Sequence, residues 1–246
     1  MPAERILILA GTAEARALAN ALVAEGRDVI SSFAGVTRDP LLPQGRIHTG
    51  GFGGAEGLAE FLRRETITAV VDATHPFAAQ MSAHADAACA ALSISLLRLE
   101  RPAWVPEVVQ AWQGASSMDE AVSLIPQGSR VLVTTGRKGL GKLLSREDLS
   151  GLIRTIEPPD EILPPQWAVL LDRPPHALPT ELELMQRQSI TCLLTKNAGG
   201  DATSAKLSAA AQLGATVVMI ERPFKPPCAT VSTVAEALLG IRRRAG

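Results

Sequence analysis

Three residues suited to acid–base chemistry lie together in the segment 72–77 of this sequence. Asp72, Thr74 and His75 bring a carboxylate, a hydroxyl and an imidazole directly after an apolar run. The pattern predicts the end of a buried strand followed by a helix, whose N-terminus favours a bound anion. There His75 could donate a proton or bond a carboxylate. A histidine that merely satisfies neighbouring backbone groups explains the same residues equally well.

Two later segments combine hydroxyls, glycines and cations, again after apolar runs. This combination predicts a cradle for anionic groups, because cationic and hydroxyl side chains bind phosphates and carboxylates. A lysine between a buried strand and two glycines is more readily explained by function than by packing. The residues are Thr135, Gly136, Arg137 and Lys138 in the first segment, and Lys196, Asn197, Gly199 and Gly200 in the second.

Two glycine-containing segments could bring the backbone close to a ligand. Gly11 and Thr12 stand between a predicted strand and a helix, where backbone N–H groups can bind phosphate. One glycine is not the dinucleotide fingerprint G-x-G-x-x-G, so a simple tight turn is an equal alternative. Four glycines surround an aromatic residue at 50–54, which predicts a ligand-binding loop or a hinge, with a mobile surface loop as the alternative. The residues of interest there are Gly51, Phe52 and Gly53.

The end of the second predicted strand bears on the choice of nucleotide. Many NAD-binding proteins carry an acidic residue there that bonds the ribose hydroxyls. This sequence has Ser31 and Ser32 at that place, with Arg38 close behind. If this half binds a dinucleotide, the residues favour the 2′-phosphate of NADP over NAD.

Composition and missing motifs argue against several other classes of function. Lysine plus arginine number 24 and aspartate plus glutamate 25, so no basic field points to nucleic acid or a membrane surface. Apolar runs have strand length, and the first residues lack the apolar core of a signal peptide. No HExxH, GxSxG or P-loop motif occurs, and no tyrosine is present. The three cysteines are far apart, so we expect a cytoplasmic protein without metal or disulfides.

Short apolar runs alternate with helical patterns along the whole chain. This alternation predicts an α/β fold with mostly parallel sheets. In the first half, strands are predicted at 6–9, 29–33, 47–49, 69–72 and 94–97, and helices at 13–25, 55–65 and 77–91. In the second half, strands are predicted at 131–133, 152–156, 167–171, 191–194 and 217–220.

The second half repeats features of the first at near-equal distances along the chain. For example, Glu-Arg-Pro occurs at 100–102 and again at 221–223. The repetition predicts two α/β domains in tandem, 1–108 and 109–246, joined by a linker within 102–114. A likeness common to all parallel sheets is the alternative explanation. Because ligands bind at the carboxyl ends of parallel strands, we expect the site in a cleft between the two domains.

The ordered set of motifs resembles the precorrin-6A reductase family of cobalamin biosynthesis. DATHPFA at 72–78 and TKNAGG at 195–200 are together the specific part of the resemblance. The resemblance extends from Ile6 to about Pro223 and includes GTAEA at 11–15, GGFGG at 50–54, LERPAW at 99–104 and TTGR at 134–137.

The resemblance implies two tandem Rossmann-like domains and an oxidoreductase that acts on a CH–CH group. NADPH would deliver a hydride to one double bond of the precorrin-6A macrocycle, giving precorrin-6B, while a proton reaches the neighbouring carbon. NAD is the alternative cofactor. The substrate is precorrin-6A or cobalt-precorrin-6A, and the sequence does not separate these two branches.

Roles for individual residues follow from joining the resemblance to the residue chemistry. His75 and Lys196 are the candidate catalytic residues, as proton donors, with water from the cleft as a third source. The cofactor would contact Gly11, Thr12, Ser31, Arg38, Thr135, Gly136 and Arg137. The tetrapyrrole carboxylates would meet Gly51, Phe52, Gly53, Thr74, Arg101, Lys138, Asn197, Gly199 and Gly200.

Two other classes of protein remain as alternatives at this point. One is a cofactor-free, two-lobed lyase or cyclase that acts on a tetrapyrrole. The other is a two-lobed protein that binds an anionic metabolite without catalysis. A thermal shift with NADP against NAD separates them from a reductase, because neither alternative has a reason to bind a nicotinamide nucleotide.

Overall fold

The computed structural model describes residues 4–33, 41–106 and 111–244. The strands are β1 (Arg5–Leu9), β2 (Asp28–Phe33), β3 (Arg46–Thr49), β4 (Ala69–Asp72), β5 (Ser95–Leu99), β6 (Trp112–Ala115), β7 (Arg130–Val133), β8 (Ser150–Thr155), β9 (Trp167–Leu171), β10 (Cys192–Lys196), β11 (Thr216–Ile220) and β12 (Ala229–Val231). The helices are α1 (Ala13–Ala24), α2 (Ala55–Arg64), α3 (Ala79–Leu92), α4 (Met118–Leu124), α5 (Gly141–Leu144), α6 (Leu178–Arg187), α7 (Ala205–Gln212) and α8 (Val234–Arg244).

The chain forms two compact units, each built on one parallel sheet. The first unit comprises Met1–Pro102 and Pro223–Gly246, and the second comprises Ala103–Arg222. The first sheet has the order β12-β5-β4-β1-β2-β3, and the second has the order β6-β11-β10-β7-β8-β9. All strand pairs in both sheets are parallel, which confirms the predicted α/β fold with mostly parallel sheets.

The units divide the chain differently from the predicted domains. Residues 223–246 were assigned to the second domain, but in the structure they belong to the first unit. The reason is pairing, because β12 joins the edge of the first sheet beside β5, and Ala237 and Ile241 of α8 enter its core. The predicted boundary at 108/109 lies outside the described residues. The predicted linker 102–114 overlaps β6, which pairs with β11.

Alternating residues of β1 explain why the first sheet is covered on both faces. Ile6 and Ile8 pack with α1 and α8, whereas Leu7 and Leu9 pack with α2 and α3. A parallel strand buried on both sides needs a continuous apolar run, which the sequence Ile6–Leu9 supplies. The equivalent β7 is buried in the same way. No helix in the described part of the chain is long and apolar enough to cross a membrane.

Both sheets reverse their strand order at one internal position. In the first sheet the chain moves outward from β1 to β2 and β3, and then returns to place β4 on the other side of β1. In the second sheet β7 and β10 have the same relation. The loops after such neighbouring strands diverge to opposite faces of the sheet and leave a crevice for ligands. Each unit therefore has one such crevice, between β1 and β4 and between β7 and β10.

Candidate functional site

Thr12 links the loops that follow β1 and β4, the two strands where the first sheet reverses its order. This residue caps α1, because its Oγ1 accepts a hydrogen bond from the Ala15 N–H and donates one to the Ala73 carbonyl at 2.9 Å. Gly11 precedes it with φ +145°, a conformation that side-chain-bearing residues rarely adopt. The loops after β1 and β4 are thus tied together at the N-terminus of a 12-residue helix.

Asp72 organises the loop that follows β4. Its carboxylate is 1% exposed and accepts hydrogen bonds from the Thr74 N–H at 3.2 Å and the Thr74 hydroxyl at 2.7 Å. Ser82 of α3 donates to the same carboxylate at 2.6 Å, and Arg98 of β5 at 3.3 Å. With four donors and no exposure, Asp72 fixes the loop and is not available to a ligand.

His75 follows in this loop, half-buried. Its Nδ1 accepts a hydrogen bond from the Phe77 N–H at 3.2 Å. An imidazole nitrogen that accepts a hydrogen bond carries no proton, so the neutral ring carries its proton on Nε2. In this state His75 presents its Nε2–H as a hydrogen-bond donor. The backbone also turns here, since the Ala78 N–H bonds the His75 carbonyl and α3 begins at Ala79.

The remaining candidates of the first unit, Arg101 for the substrate and Ser31 and Arg38 for the cofactor, differ in their surroundings. Arg101 forms an ion pair with Glu14 in the first turn of α1, with Nη1–Oε2 at 2.9 Å. Ser31 is fully buried in β2, and its Oγ bonds no atom of the described residues. Ser32 is buried as well, and the last residues of β2, Ser31, Ser32 and Phe33, include no carboxylate. Arg38 lies outside the described residues.

The glycine-rich loop is anchored by its aromatic residue. Phe52 stacks on His48 with centroids 4.9 Å apart and contacts Phe61 edge-on at 5.0 Å. Burial, followed by the charge of Arg64, lowers the pKa of His48. The loop passes so close to α2 that a Cβ at Gly57 would stand 1.7 Å from the Phe52 carbonyl oxygen. Phe52 therefore packs into the first unit, and Gly51 and Gly53 flank this anchor.

In the second unit, the loop after β7 brings hydroxyls beside β10. The Thr134 hydroxyl donates to the Thr195 hydroxyl at 2.8 Å. Thr135 is 6% exposed, and its Oγ1 is buried without a partner in the described part of the chain. Arg137 faces two acids beyond β8, with Nη1 3.5 Å from Glu157 and 3.8 Å from Asp160. This acidic neighbourhood was not foreseen from the sequence.

Lys196 ends β10, at the same edge of the sheet. Burial lowers its pKa, and the charge of Lys138 lowers it further. Lys138 lies in the loop after β7, the strand that pairs with β10, so both lysines belong to this edge of the second sheet. Two cations beside buried threonine hydroxyls make this edge of the second unit suited to carboxylates or phosphates.

The loop that follows Lys196 is clamped by residues near both ends of the second unit. The Asn197 amide accepts from the Trp104 N–H at 2.8 Å and donates to the Trp104 carbonyl at 3.0 Å. The Trp104 indole N–H donates to Gly200 O, and Arg222 Nε donates to Asn197 O, both at 2.9 Å. Asn197, predicted to bind substrate, is 4% exposed and holds this loop in place.

The predicted site residues thus gather at two sheet edges, one in each unit. Sequence reasoning assigned no role to Arg98, Trp104 or Glu157, whose partners are distant in the chain. The repeated Glu-Arg-Pro was the available signal for one member of the clamp, Arg222.

The described residues include neither a metal-binding cluster nor a buried cysteine with a lowered pKa. No group of three or more histidine, cysteine, aspartate or glutamate side chains there is placed to hold a metal ion. Burial raises the pKa of the Cys89 and Cys192 thiols to about 12, so neither is a thiolate near neutral pH.

Comparisons with known proteins agree on one family. The family described as precorrin-6x reductase CbiJ/CobK matches residues 5–241. Precorrin-6A reductase of Rhodococcus erythropolis is 48% identical over 95% of this chain and 96% of its own length. Precorrin-6A reductase of Rhodobacter capsulatus is 39% identical over 94% of both chains. Cobalt-precorrin-6A reductase of Synechocystis is 28% identical over 90% of both.

A solved structure has the same fold over the whole chain. It is described as CobK precorrin-6A reductase and is 37% identical, with a TM-score of 0.92. The match covers 99% of this chain and 97% of that one.

Proposed function

The chain belongs to the precorrin-6x reductase CbiJ/CobK family, and we propose that it transfers a hydride from NADPH to one double bond of precorrin-6A, giving precorrin-6B. It is an oxidoreductase that acts on a CH–CH group in cobalamin biosynthesis. The observation that carries the proposal is 48% identity to a precorrin-6A reductase over nearly the full length of both chains. The lyase and the non-catalytic binding protein were therefore wrong alternatives.

The metal-free macrocycle is the better substrate of the two branches. Relatives described as precorrin-6A reductase are 39–48% identical to this chain. Those described as cobalt-precorrin-6A reductase are 27–29% identical. Assaying both macrocycles side by side tests this choice, and a higher kcat/KM with the cobalt form would reverse it.

The residues of the first unit fit a nicotinamide dinucleotide. Gly11 and Thr12 present the start of α1, whose free backbone N–H groups favour a phosphate. Arg101 stands beside them on Glu14 and would exchange that carboxylate for a phosphate. In the second unit the corresponding helix α5 has only four residues, which gives it little dipole. We assign the dinucleotide to the first unit on this contrast.

The ends of β2 and β8, the second strand of each unit's series, also favour the first unit as the site of the 2′-phosphate. Ser31 and Ser32 leave the end of β2 without a negative charge. At the end of β8, Glu157 and Asp160 would repel a phosphate and already occupy Arg137. NADP is therefore preferred over NAD in the first unit, with Arg38 as the candidate partner of the 2′-phosphate.

Lys138 and Lys196 are the groups of the second unit best placed for the substrate. Precorrin-6A carries many acetate and propionate carboxylates, and each lysine binds a carboxylate as a point charge. Asn197 and Trp104 contribute by holding the loop after Lys196. The contact is charge-assisted and partly desolvated, so it discriminates strongly between carboxylate-bearing macrocycles and neutral ones.

The chain's part in the chemistry is positioning and proton supply. NADPH, when bound, supplies the hydride to one ring carbon, and the adjacent carbon then takes a proton. His75 is our candidate for that proton, which it would give up from Nε2 as an imidazolium after taking up a solvent proton at Nδ1 in place of the Phe77 hydrogen bond, and Asp72 fixes its loop. Lys196 is the second candidate, because burial lowers its pKa and makes its ammonium a better acid.

Two measurements test the proposal. Purified protein with NADPH and precorrin-6A should lose NADPH absorbance in step with a change in the macrocycle spectrum, and either change alone refutes hydride transfer between them. Calorimetry should give tighter binding of NADP than NAD by about tenfold or more. Equal affinities would refute the NADP assignment. A preference that survives Arg38→Ala would place the 2′-phosphate elsewhere.

A further inference from the structure

Phe224 is an aromatic side chain that the fold leaves almost uncovered. It is 85% exposed, and it is the one aromatic residue among the exposed large apolar side chains of the described residues. Burying a phenyl ring stabilises a protein by about 1.5–3 kcal/mol, so an exposed ring contributes little to folding. Its exposure is therefore better explained by a contact with a ligand than by a role in folding.

The segment that carries Phe224 is held by an ion pair, a hydrogen bond and three prolines. The next residue, Lys225, forms an ion pair with Glu100, and these side chains are only 7% and 17% exposed. Pro226 follows, and its carbonyl accepts a hydrogen bond from Arg98 Nη1 at 3.0 Å. Pro223, Pro226 and Pro227 further restrict the backbone. These contacts fix the backbone beside Phe224, and in the structure its ring faces solvent.

These anchors place the segment at the carboxyl edge of the first sheet. Glu100 is the first residue after β5, and Arg98 of β5 is the residue that also bonds Asp72. Asp72 in turn fixes the loop that carries His75. Phe224 therefore belongs to the edge of the parallel sheet where ligands bind, and one buried network connects its segment to the candidate proton donor.

We propose that Phe224 is a substrate-binding residue that packs against the face of the tetrapyrrole macrocycle. This inference rests on the proposed function, which supplies a large macrocyclic ligand with an extended apolar face and a partly conjugated ring system. Aromatic rings prefer such partners in offset stacking. A nicotinamide ring is a poorer match, because a small ring gains little from one isolated side chain, whereas a macrocycle extends well beyond a single phenyl group.

Because Phe224 is exposed, its substitution tests ligand binding without disturbing the fold. Phe224→Ala removes a side chain that the folded protein barely uses, so its melting temperature should equal that of the wild type. Ile162→Ala is the matched control, because Ile162 is an apolar side chain of the second unit that is 96% exposed. Phe224→Trp is the conservative variant, since it keeps an aromatic face at the same place.

The measurements are calorimetric binding of the macrocycle without NADPH, binding of NADP, and steady-state kinetics. Phe224→Ala should weaken macrocycle binding and raise its KM by about three- to tenfold, the range that a lost aromatic contact predicts. Binding of NADP should stay within about twofold, Phe224→Trp should restore macrocycle binding, and Ile162→Ala should change nothing.

Three results would overturn the inference. Wild-type macrocycle binding in Phe224→Ala would show that the ring is not a contact, even if the reductase reaction itself is observed. A loss confined to NADP would assign the ring to the cofactor instead. Failure of the wild-type protein to bind the macrocycle at all would refute the proposed function and this inference with it.

Discussion

Replacing Asp72 by asparagine should destabilise the first unit by about 3 kcal/mol, near the lower end of the 3–5 kcal/mol that breaking a buried ion pair costs. Asp72 is 1% exposed and Arg98 is 6% exposed, so water cannot take over either charge. Asparagine Oδ1 can still accept both hydrogen bonds of Thr74, and Arg98 keeps its bond to the Pro226 carbonyl. The loss is therefore the uncompensated guanidinium charge and the two contacts of the second carboxylate oxygen.

A double variant separates the charge effect from simple loss of packing. Arg98→Met removes the cation but keeps an unbranched apolar stem, and combined with Asp72→Asn it leaves no unpaired charge. The double variant should be more stable than the sum of the two single effects by about 2 kcal/mol, a coupling typical of contacting residues. Arg98→Lys is a weak substitute, because lysine lacks the fork that joins Asp72 to Pro226.

The assay must report on the first unit alone, because two compact units need not unfold together. Hydrogen exchange of backbone amides in β4 and β5, followed by mass spectrometry, gives the opening free energy of the sheet around Asp72. All three tryptophans lie within 103–222, so their fluorescence in urea reports the second unit and should not change. A loss below about 1 kcal/mol in β4, or additive single effects, would refute the buried pair as the organiser of this loop.

Four further predictions concern the variants Lys196→Met, His75→Asn and Gly57→Ala. Lys196→Met should cut kcat/KM for the macrocycle by about 30-fold or more through loss of a charge-assisted contact, with a normal fold as the control. The pKa of Lys196 in the folded protein lies below its usual 10.5, so unfolding takes up a proton between these two values and the stability of the wild type should rise with pH across that interval. Lys196→Met should abolish this rise. A difference in unfolding free energy between the two proteins that stays constant with pH, measured by chemical denaturation, would contradict the prediction. His75→Asn should lower kcat at constant NADP affinity, and an unchanged kcat would remove His75 as the proton source. Gly57→Ala should destabilise α2 by several kcal/mol, since its Cβ would stand 1.7 Å from the Phe52 carbonyl oxygen, and a wild-type melting curve would contradict the close approach.

The sequence by itself was sufficient for the class of fold and for the family. Strand and helix periods are local properties, so Ile6–Leu9 and Ala69–Asp72 could be identified as buried strands without any knowledge of their neighbours. The turn at Gly11 and Thr12 is equally local, and in the structure Thr12 caps α1. The motifs at 72–78 and 195–200 carried the resemblance, which the comparisons confirm.

The return of the chain to the first sheet was not predictable from those patterns. The segment 229–231 has only three residues, Ala-Thr-Val, and in the structure two of them are exposed. So short a run has no apolar pattern that would indicate a strand. It becomes β12 because β5 offers a free edge more than 120 residues earlier in the chain, and α8 then covers the same sheet. An edge strand owes its existence to the hydrogen bonds of its partner, and that partner is not encoded in its own sequence.

Side-chain roles at the two sheet edges were decided by tertiary structure for the same reason. Asn197, expected to bind substrate, holds Trp104, and Arg137 meets Glu157 across the end of β8. A polar side chain takes whichever partner relieves its loss of hydration on burial, and here each partner comes from a distant part of the chain. Residue type and spacing therefore indicated which edges carry chemistry, and folding determined which groups at those edges are left to face a ligand.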